Sequence, residues 1–169
     1  MKSGIVVIDT SVLINFLCVD RMDLIGCYPQ RFLATDHVDA EITSDYPDER
    51  IRYQKAVASG LLDTCSVVDP EEVELFLRLR PGERLGAGEC SALAVASRRR
   101  YPVAIDDNQA VNRAVRELGT PLEIVRTADV MLTLIRLGAL DVVAADHIKD
   151  IWTKYYKFRI KAASFQDLL

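Results

Sequence analysis

The sequence predicts an α/β fold: a three-layer α/β/α sandwich around a central parallel sheet of four to five strands, with helices appended at the C-terminal end. Three observations carry that reading. Short apolar runs alternate with stretches of helical periodicity, the order that parallel β units require. The runs, Ile5-Val6-Val7-Ile8 above all, are apolar throughout instead of alternating, which suits strands covered on both faces. From Ala128 onward the pattern is helical only.

The first strand is expected at residues 4–8. Thr10 and Ser11 can cap a short helix that runs through Phe16-Leu17. Arg31-Phe32-Leu33-Ala34-Thr35 reads as the second strand, and Asp36 or His37 starts a helix that carries Glu41. The stretch 44–48, with Pro47, is a break; residues 49–58 are helical and end at Gly60. Residues 64–68 form a small strand. Asp69-Pro70-Glu71-Glu72 is a helix start, with a cap, a proline at the first position and acids in the first turn, and that helix reaches about Arg80. Residues 81–88 are the glycine-rich loop of the chain, and without a following Gly-Lys-Ser/Thr it is no P-loop. Glu89–Arg100 is an alanine-rich helix, 102–105 a strand, 108–118 a helix stopped by Gly119, and 122–125 the last strand. Helices follow at about 128–137, 142–158 and 164–169. The division expected is a catalytic domain over 1–127 and a helical extension over 128–169, packed on the same domain.

A chain of 169 residues suits one domain with a real core. No apolar run approaches the roughly 18 residues that span a bilayer, and Met1-Lys2-Ser3-Gly4 leads directly into a strand without a signal-peptide h-region. A cytoplasmic protein without membrane attachment is expected. Cys18, Cys27, Cys65 and Cys90 form no C-x-x-C pair and have no histidine at zinc spacing, so they read as reduced thiols. The net charge of −4 runs against the basic bias of nucleic-acid binders. Local basic patches survive it, at Arg98-Arg99-Arg100 and in the stretch Lys149–Lys161 that holds Lys154, Lys157 and Arg159.

The chemistry lies in the acids. Asp9 directly follows the first strand, Glu41 follows the second by a few residues, Glu89 opens the helix after Gly86-Ala87-Gly88, and Asp106-Asp107 follows Val103-Ala104-Ile105. In open parallel sheets ligands sit beyond the carboxyl ends of the strands. Carboxylates gathered there repel unless a cation lies between them, and Mg²⁺ or Mn²⁺ prefers such oxygen ligands. The pattern suggests a metal-dependent enzyme acting on phosphate esters. Asp36 and Asp39 compete with Glu41 for its place, although Val38 and Ile42 would hold the turn of Glu41 against the core. Of the adjacent pair, one acid should face the metal while the other caps the helix; Asp107 is the favoured ligand and Asp106 is close behind. Ser11 and Asn15 share a helix face and can support the site. His37 and His147, the two histidines, read as structural or surface residues.

Val-Ile-Asp-Thr-Ser-Val-Leu-Ile-Asn at 7–15, Glu41, Gly-Glu-Cys-Ser-Ala-Leu-Ala-Val-Ala at 88–96 and Ile-Asp-Asp-Asn-Gln-Ala at 105–110 resemble the four acidic motifs of PIN domains. The resemblance covers about residues 4–126 and is most specific at the first and third motifs. It implies Mg²⁺ or Mn²⁺ held by Asp9, Glu41, Glu89 and Asp107, with Ser11 as a supporting hydroxyl, and metal-dependent cleavage of RNA. It also implies VapC-like relatives that serve as the toxin of a toxin–antitoxin pair, and so an antitoxin protein as a partner. The helices after Ala128 resemble those of a PIN branch with an Asp-Asp fourth motif. The sequence departs at Ile105, where many members carry a hydroxyl residue.

The reading from another class is a regulatory RNA- or protein-binding module with the fold but little or no catalysis. A phosphatase with an Asp-x-Asp nucleophile is disfavoured because position 11 is Ser, and a receiver domain because no acidic pair follows the first strand. Two expectations concern assembly. Val130, Leu134, Leu137, Ile148, Ile151, Trp152 and Tyr155 fall at helical spacing, so part of this apolar set should face a second copy in a homodimer. Arg98, Arg99, Arg113, Lys154 and Lys157 should flank the acids and contact the RNA backbone.

Overall fold

The computed structural model describes residues 4–81, 85–119 and 121–169. Residues 82–84 of the glycine-rich loop lie outside the described residues.

Strands β1 (Ile5–Ile8), β2 (Arg31–Thr35), β3 (Asp63–Cys65), β4 (Val103–Ala104) and β5 (Ile124–Val125) form one parallel sheet in the order β3-β2-β1-β4-β5. Val6 lies opposite Phe32, and Val7 opposite both Leu33 and Val103. The chain builds outward from β1 to β3, then returns to lay β4 and β5 on the other side of β1. Strand order therefore reverses between β1 and β4, where a crevice opens beyond the carboxyl ends.

Alternation along β1 divides the interior. Val6 and Ile8 belong to one apolar cluster with Leu13 and Phe16 of α1 (Thr10–Cys18), Ile25 of α2 (Met22–Cys27), and Tyr53 of α4 (Arg50–Ala58). Val7 belongs to the other, with Leu75 of α5 (Pro70–Leu79), Leu93 and Val95 of α6 (Ala87–Arg99), and Ala114 of α7 (Asn108–Leu118). Helix α3 (Asp36–Asp45) adds Val38 and Ile42 to the first cluster while packing beside α6. The expected three-layer α/β/α sandwich with a five-stranded parallel sheet is present. Every residue from Cys90 to Ala96 is buried, because small side chains let α6 approach the sheet closely.

Three details differ from expectation. Helix α2 was not foreseen: it has only six residues, contains Gly26 and lacks a side-chain cap, which leaves Asp23 in its first turn as a weak start signal. β3, β4 and β5 are shorter than their apolar runs. Such a run reports burial, whereas strand length depends on a hydrogen-bonding neighbour. The long C-terminal helix stops at Tyr155 instead of Phe158, since Lys157 adopts a left-handed φ of 56°.

Helices α8 (Thr127–Arg136) and α9 (Val142–Tyr155) extend the first cluster. Val130, Leu134, Ile148 and Trp152 of the apolar set offered to a second copy are buried within their own domain, while Leu137 and Tyr155 remain exposed. That removes most of the apolar surface on which the dimer expectation stood. Among the described residues no helix is long and apolar enough to cross a membrane.

Trp152 fastens the extension. Its indole donates 2.6 Å to the carbonyl of Asn15, and its ring meets Phe16 and Phe158 edge-on at 6.0 and 5.4 Å. Trp152→Phe keeps much of the apolar contact but leaves the buried Asn15 carbonyl with only the weak Cys18 thiol donor, at 3.4 Å. It should cost about 1–3 kcal/mol in urea unfolding monitored by far-UV circular dichroism. A variant as stable as wild type would show that the indole bond contributes nothing net.

Candidate active site

The carboxyl end of β1 delivers Asp9 into the crevice. The residue is fully buried and caps α1, one oxygen accepting the Ser11 amide at 3.0 Å. Its other oxygen, Oδ1, is buried and has no hydrogen-bond partner among the described residues. Burial pushes the carboxyl up to about 6; the Ser11 hydroxyl and amide pull it down, and the nearby Glu41 charge adds to the rise.

Glu41 reaches the same place from α3. Its carboxylate accepts the Thr10 hydroxyl at 2.7 Å and the Gly88 amide at 2.7 Å. That contact requires glycine: a Cβ at Gly88 would lie 2.8 Å from the Glu41 carboxyl carbon, and one at Gly86 2.9 Å from Oε1. The glycines thus make room for an acid from another helix.

Glu89 lies in the first turn of α6, and its carboxylate accepts the Gly86 amide at 2.9 Å. Burial is the main cause that pushes it up to about 7; the charges of Asp9 and Asp107 and a hydrogen bond with the Asp107 side chain contribute further. Asp107 caps α7, one oxygen accepting the Gln109 and Ala110 amides at 2.6 and 3.2 Å. Asp9, Glu41, Glu89 and Asp107 are therefore coupled acids at one edge.

Asp106 is placed differently. Its Oδ1 accepts the Thr127 amide at 3.0 Å, and its Oδ2 accepts the Thr127 hydroxyl at 2.7 Å and the Asn15 amide nitrogen at 3.1 Å. With both oxygens engaged by protein donors, Asp106 ties β4 to α1 and α8. Asn15, expected to support the site, donates to this acid and to Thr127. The Ser11 hydroxyl accepts the Asp106 amide at 3.1 Å, so Ser11 braces both strand ends.

Thr10 and Thr127 are the polar residues that sequence reasoning did not assign. Thr10 read only as a cap. Thr127 immediately follows β5 and its neighbour Arg126, a strand-end position like those of the acids, and that position was the available signal.

The expected basic flank is dispersed. Arg99 pairs with the buried Glu72 at 2.6 Å and Arg98 with Glu71 at 3.4 Å. Both stand near the far end of α6, nine and ten residues or about 14–15 Å from Glu89. Arg113 pairs with Glu117 at 3.5 Å and donates to the Pro81 carbonyl. Lys154 and Lys157 are exposed.

The donor set at the edge is all oxygen, which suits a hard cation. Among the described residues no three acidic, histidine or cysteine side chains converge tightly enough to make a closed metal cage. Glu41, Glu89 and Asp107 each commit an oxygen to a backbone amide, which leaves an open arrangement. Mg²⁺ tolerates this because it usually keeps several waters and takes few protein carboxylates. The orphaned Asp9 oxygen fits such an ion.

Two outcomes follow from this geometry. Asp9 and Glu89 have folded-state pKa values near 6 and 7, raised from 3.8 and 4.5. They hold their protons more tightly folded than unfolded. Their contribution to stability is full below about pH 4 and is lost as pH rises through 6 to 7. Metal-free protein should lose stability over that window. In Asp9→Asn the fall should be smaller by on the order of 3 kcal/mol. Denaturant titrations from pH 4 to 7.5 check this, and parallel curves for the two proteins would contradict it. Gly88→Ala should displace Glu41 and weaken Mn²⁺ binding by calorimetry at least tenfold, or about 1.4 kcal/mol; wild-type affinity would show that Glu41 is not needed.

Comparison with known proteins gives the family. Residues 5–169 match the model of the DUF3368 family, described as a PIN domain. No curated protein matches the sequence. Among solved structures, a PilT N-terminus domain protein from the hyperthermophilic archaeon Sulfolobus solfataricus P2 is similar over 75% of this chain and 89% of its own, at 18% identity and a TM-score of 0.48. PIN domains are generally nucleases and typically use divalent metal ions. The match runs through the C-terminal helices as well as the sheet, and the chain belongs to the DUF3368 family of PIN domains.

Proposed function

We propose that this protein is a Mg²⁺- or Mn²⁺-dependent endoribonuclease that hydrolyses phosphodiester bonds of single-stranded RNA at the acidic edge of its sheet. The observation that carries the reading is the fully buried Asp9 with one unpartnered oxygen, beside Glu41, Glu89 and Asp107. A buried carboxylate is costly unless something satisfies it, and a divalent cation at that edge would.

Asp9, Glu41, Glu89 and Asp107 are the residues that would hold the metal. A bound divalent ion supplies an activated water, polarisation of the phosphoryl oxygens and stabilisation of the leaving oxygen. The chain's own part is positioning. Thr10 and the Gly88 amide fix the Glu41 carboxylate. Ser11 fixes the end of β4 relative to Asp9. Thr127 and Asn15 clamp Asp106 and so set the start of α7, from which Asp107 projects.

The absence of a closed ligand set among the described residues favours a second reading, the regulatory RNA- or protein-binding module. The toxin role, with an antitoxin partner, rests on the motif resemblance; a small overlapping upstream frame encoding a DNA-binding protein is the genomic mark that would support it.

Millimolar Mn²⁺ should raise the melting temperature of wild type by mass action and leave Asp9→Asn unmoved. The same substitution should cut the rate of cleavage of a single-stranded RNA by about two orders of magnitude or more, the several kcal/mol of charge stabilisation that a metal supplies. Its fold should survive, because one of several repelling charges is gone. Full activity in the variant would falsify the mechanism. A wild type that shifts with Mn²⁺ but cuts nothing would favour the binding module.

A further inference from the structure

Beside the carboxyl edge of β4 and β5 runs an open groove of about 250 Å³, lined by Asp106, Asn108, Arg126, Phe158, Arg159 and Lys161 among others. We infer that this groove takes the phosphate backbone of the nucleic-acid strand next to the bond being cut. The inference rests on the ribonuclease reading and adds to it the surface that holds the substrate.

Charge is the first argument. Arg159 and Lys161 are exposed and form no ion pair among the described residues. Arg126 is held rigidly: its guanidinium donates 2.7 Å to the Ile105 carbonyl and 2.6 Å to Asn108 Oδ1. The one acid in the groove, Asp106, has both oxygens engaged by Thr127 and Asn15. Three cations thus face one hydrogen-bonded carboxylate, in a chain whose net charge is −4. By contrast Arg98 and Arg99 of α6 are matched by Glu71 and Glu72, and Arg113 of α7 by Glu117.

Placement is the second argument. Asp106 is at once a wall of this groove and the neighbour of Asp107, so the basic lining begins where the acidic cluster ends. A strand with its scissile phosphate at the acids would carry an adjoining phosphate over Arg159 and Lys161. Phe158 adds an aromatic wall beside the cations, the combination that suits single strands.

Order is the third. The segment 158–161 is pinned at both ends. Before it, the Phe158 ring packs edge-on against buried Trp152 and its amide donates to the Trp152 carbonyl at 3.3 Å. After it, buried Lys149 donates to the Ala163 carbonyl at 2.7 Å, Asp146 accepts the Phe165 amide at 2.8 Å, and the Phe165 ring is fully buried. The backbone carrying the two cations is therefore set before any ligand arrives, which lowers the ordering cost of binding.

The test separates the groove from the chemistry. Full-length Asp9→Asn, which should bind without cutting, is titrated with a fluorescent single-stranded RNA over a range of KCl in Mg²⁺, with and without the added pair Arg159→Gln and Lys161→Gln. The pair should weaken binding at least tenfold and make the plot of log affinity against log salt shallower by about 1.4, the loss of two single-strand phosphate contacts. Its melting temperature should be unchanged. With Asp9 intact, the pair should hydrolyse bis(p-nitrophenyl) phosphate in Mn²⁺ at the wild-type rate, because so small a diester need not touch the groove. Equal affinity and slope with and without the pair would overturn the groove, as would failure of the Asp9→Asn protein to bind RNA at all. RNA that is bound through the groove yet left uncut by the Asp9-intact protein would overturn the ribonuclease reading and leave the groove standing.

Discussion

The structure is organised around a carboxylate that is expensive to bury. Asp9 is fully enclosed, one of its oxygens has no partner among the described residues, Glu41 and Glu89 approach it, and Asp107 approaches Glu89. Such a cluster opposes folding through both desolvation and repulsion. The fold answers with backbone dipoles. Asp9 caps α1, Glu89 occupies the first turn of α6, and Asp107 caps α7. Three helix N-termini thus direct their free amides and positive dipole ends at the acids. Parallel topology makes this possible, because each helix that follows a strand begins where that strand ends. The partial charges offset only part of the cost, and the raised proton affinity of Asp9 and Glu89, caused first by burial and then by neighbouring acids, is what remains.

Glu41 shows how much packing the placement of one acid demands. It comes from α3, which follows the neighbouring strand β2, and must reach across to the end of β1. The reach succeeds because α6 offers no side chain at Gly86 or Gly88 and presents an amide instead. The run of buried small residues behind Gly88 brings α6 near enough for that amide to matter. The same small residues that pack the second core therefore position the acid of the second motif.

The sheet, its helices and the coarse site were legible because they rest on local signals: apolar runs, the cap at Asp69, stops at Gly60 and Gly119, and acids at strand ends; that Asp107, expected as the ligand of its pair, is also the cap of α7 was not. What escaped was nonlocal. The roles of Thr10 and Thr127 depend on contacts to residues 31 and 21 positions away. Asp106 and Asp107 are adjacent, and only the neighbours of each reveal that one ties β4 to α1 and α8 while the other faces Glu89. Arg98 and Arg99 stood out as a run of charge, yet Glu71 and Glu72 face them from α5.

An acidic chain can still present a positive face. Net charge sums groups that are already neutralised, whereas an approaching phosphate responds to the cations left unmatched within about a Debye length, near 8 Å at physiological salt. On α6 the arginines are matched by acids and act as braces between helices. On the C-terminal strap Arg159 and Lys161 are left without such partners among the described residues, while Trp152, Lys149 and Phe165 hold the backbone that carries them. The extension thus does two things: its buried face completes the first core, and its exposed turn sets positive charge beside the acidic edge.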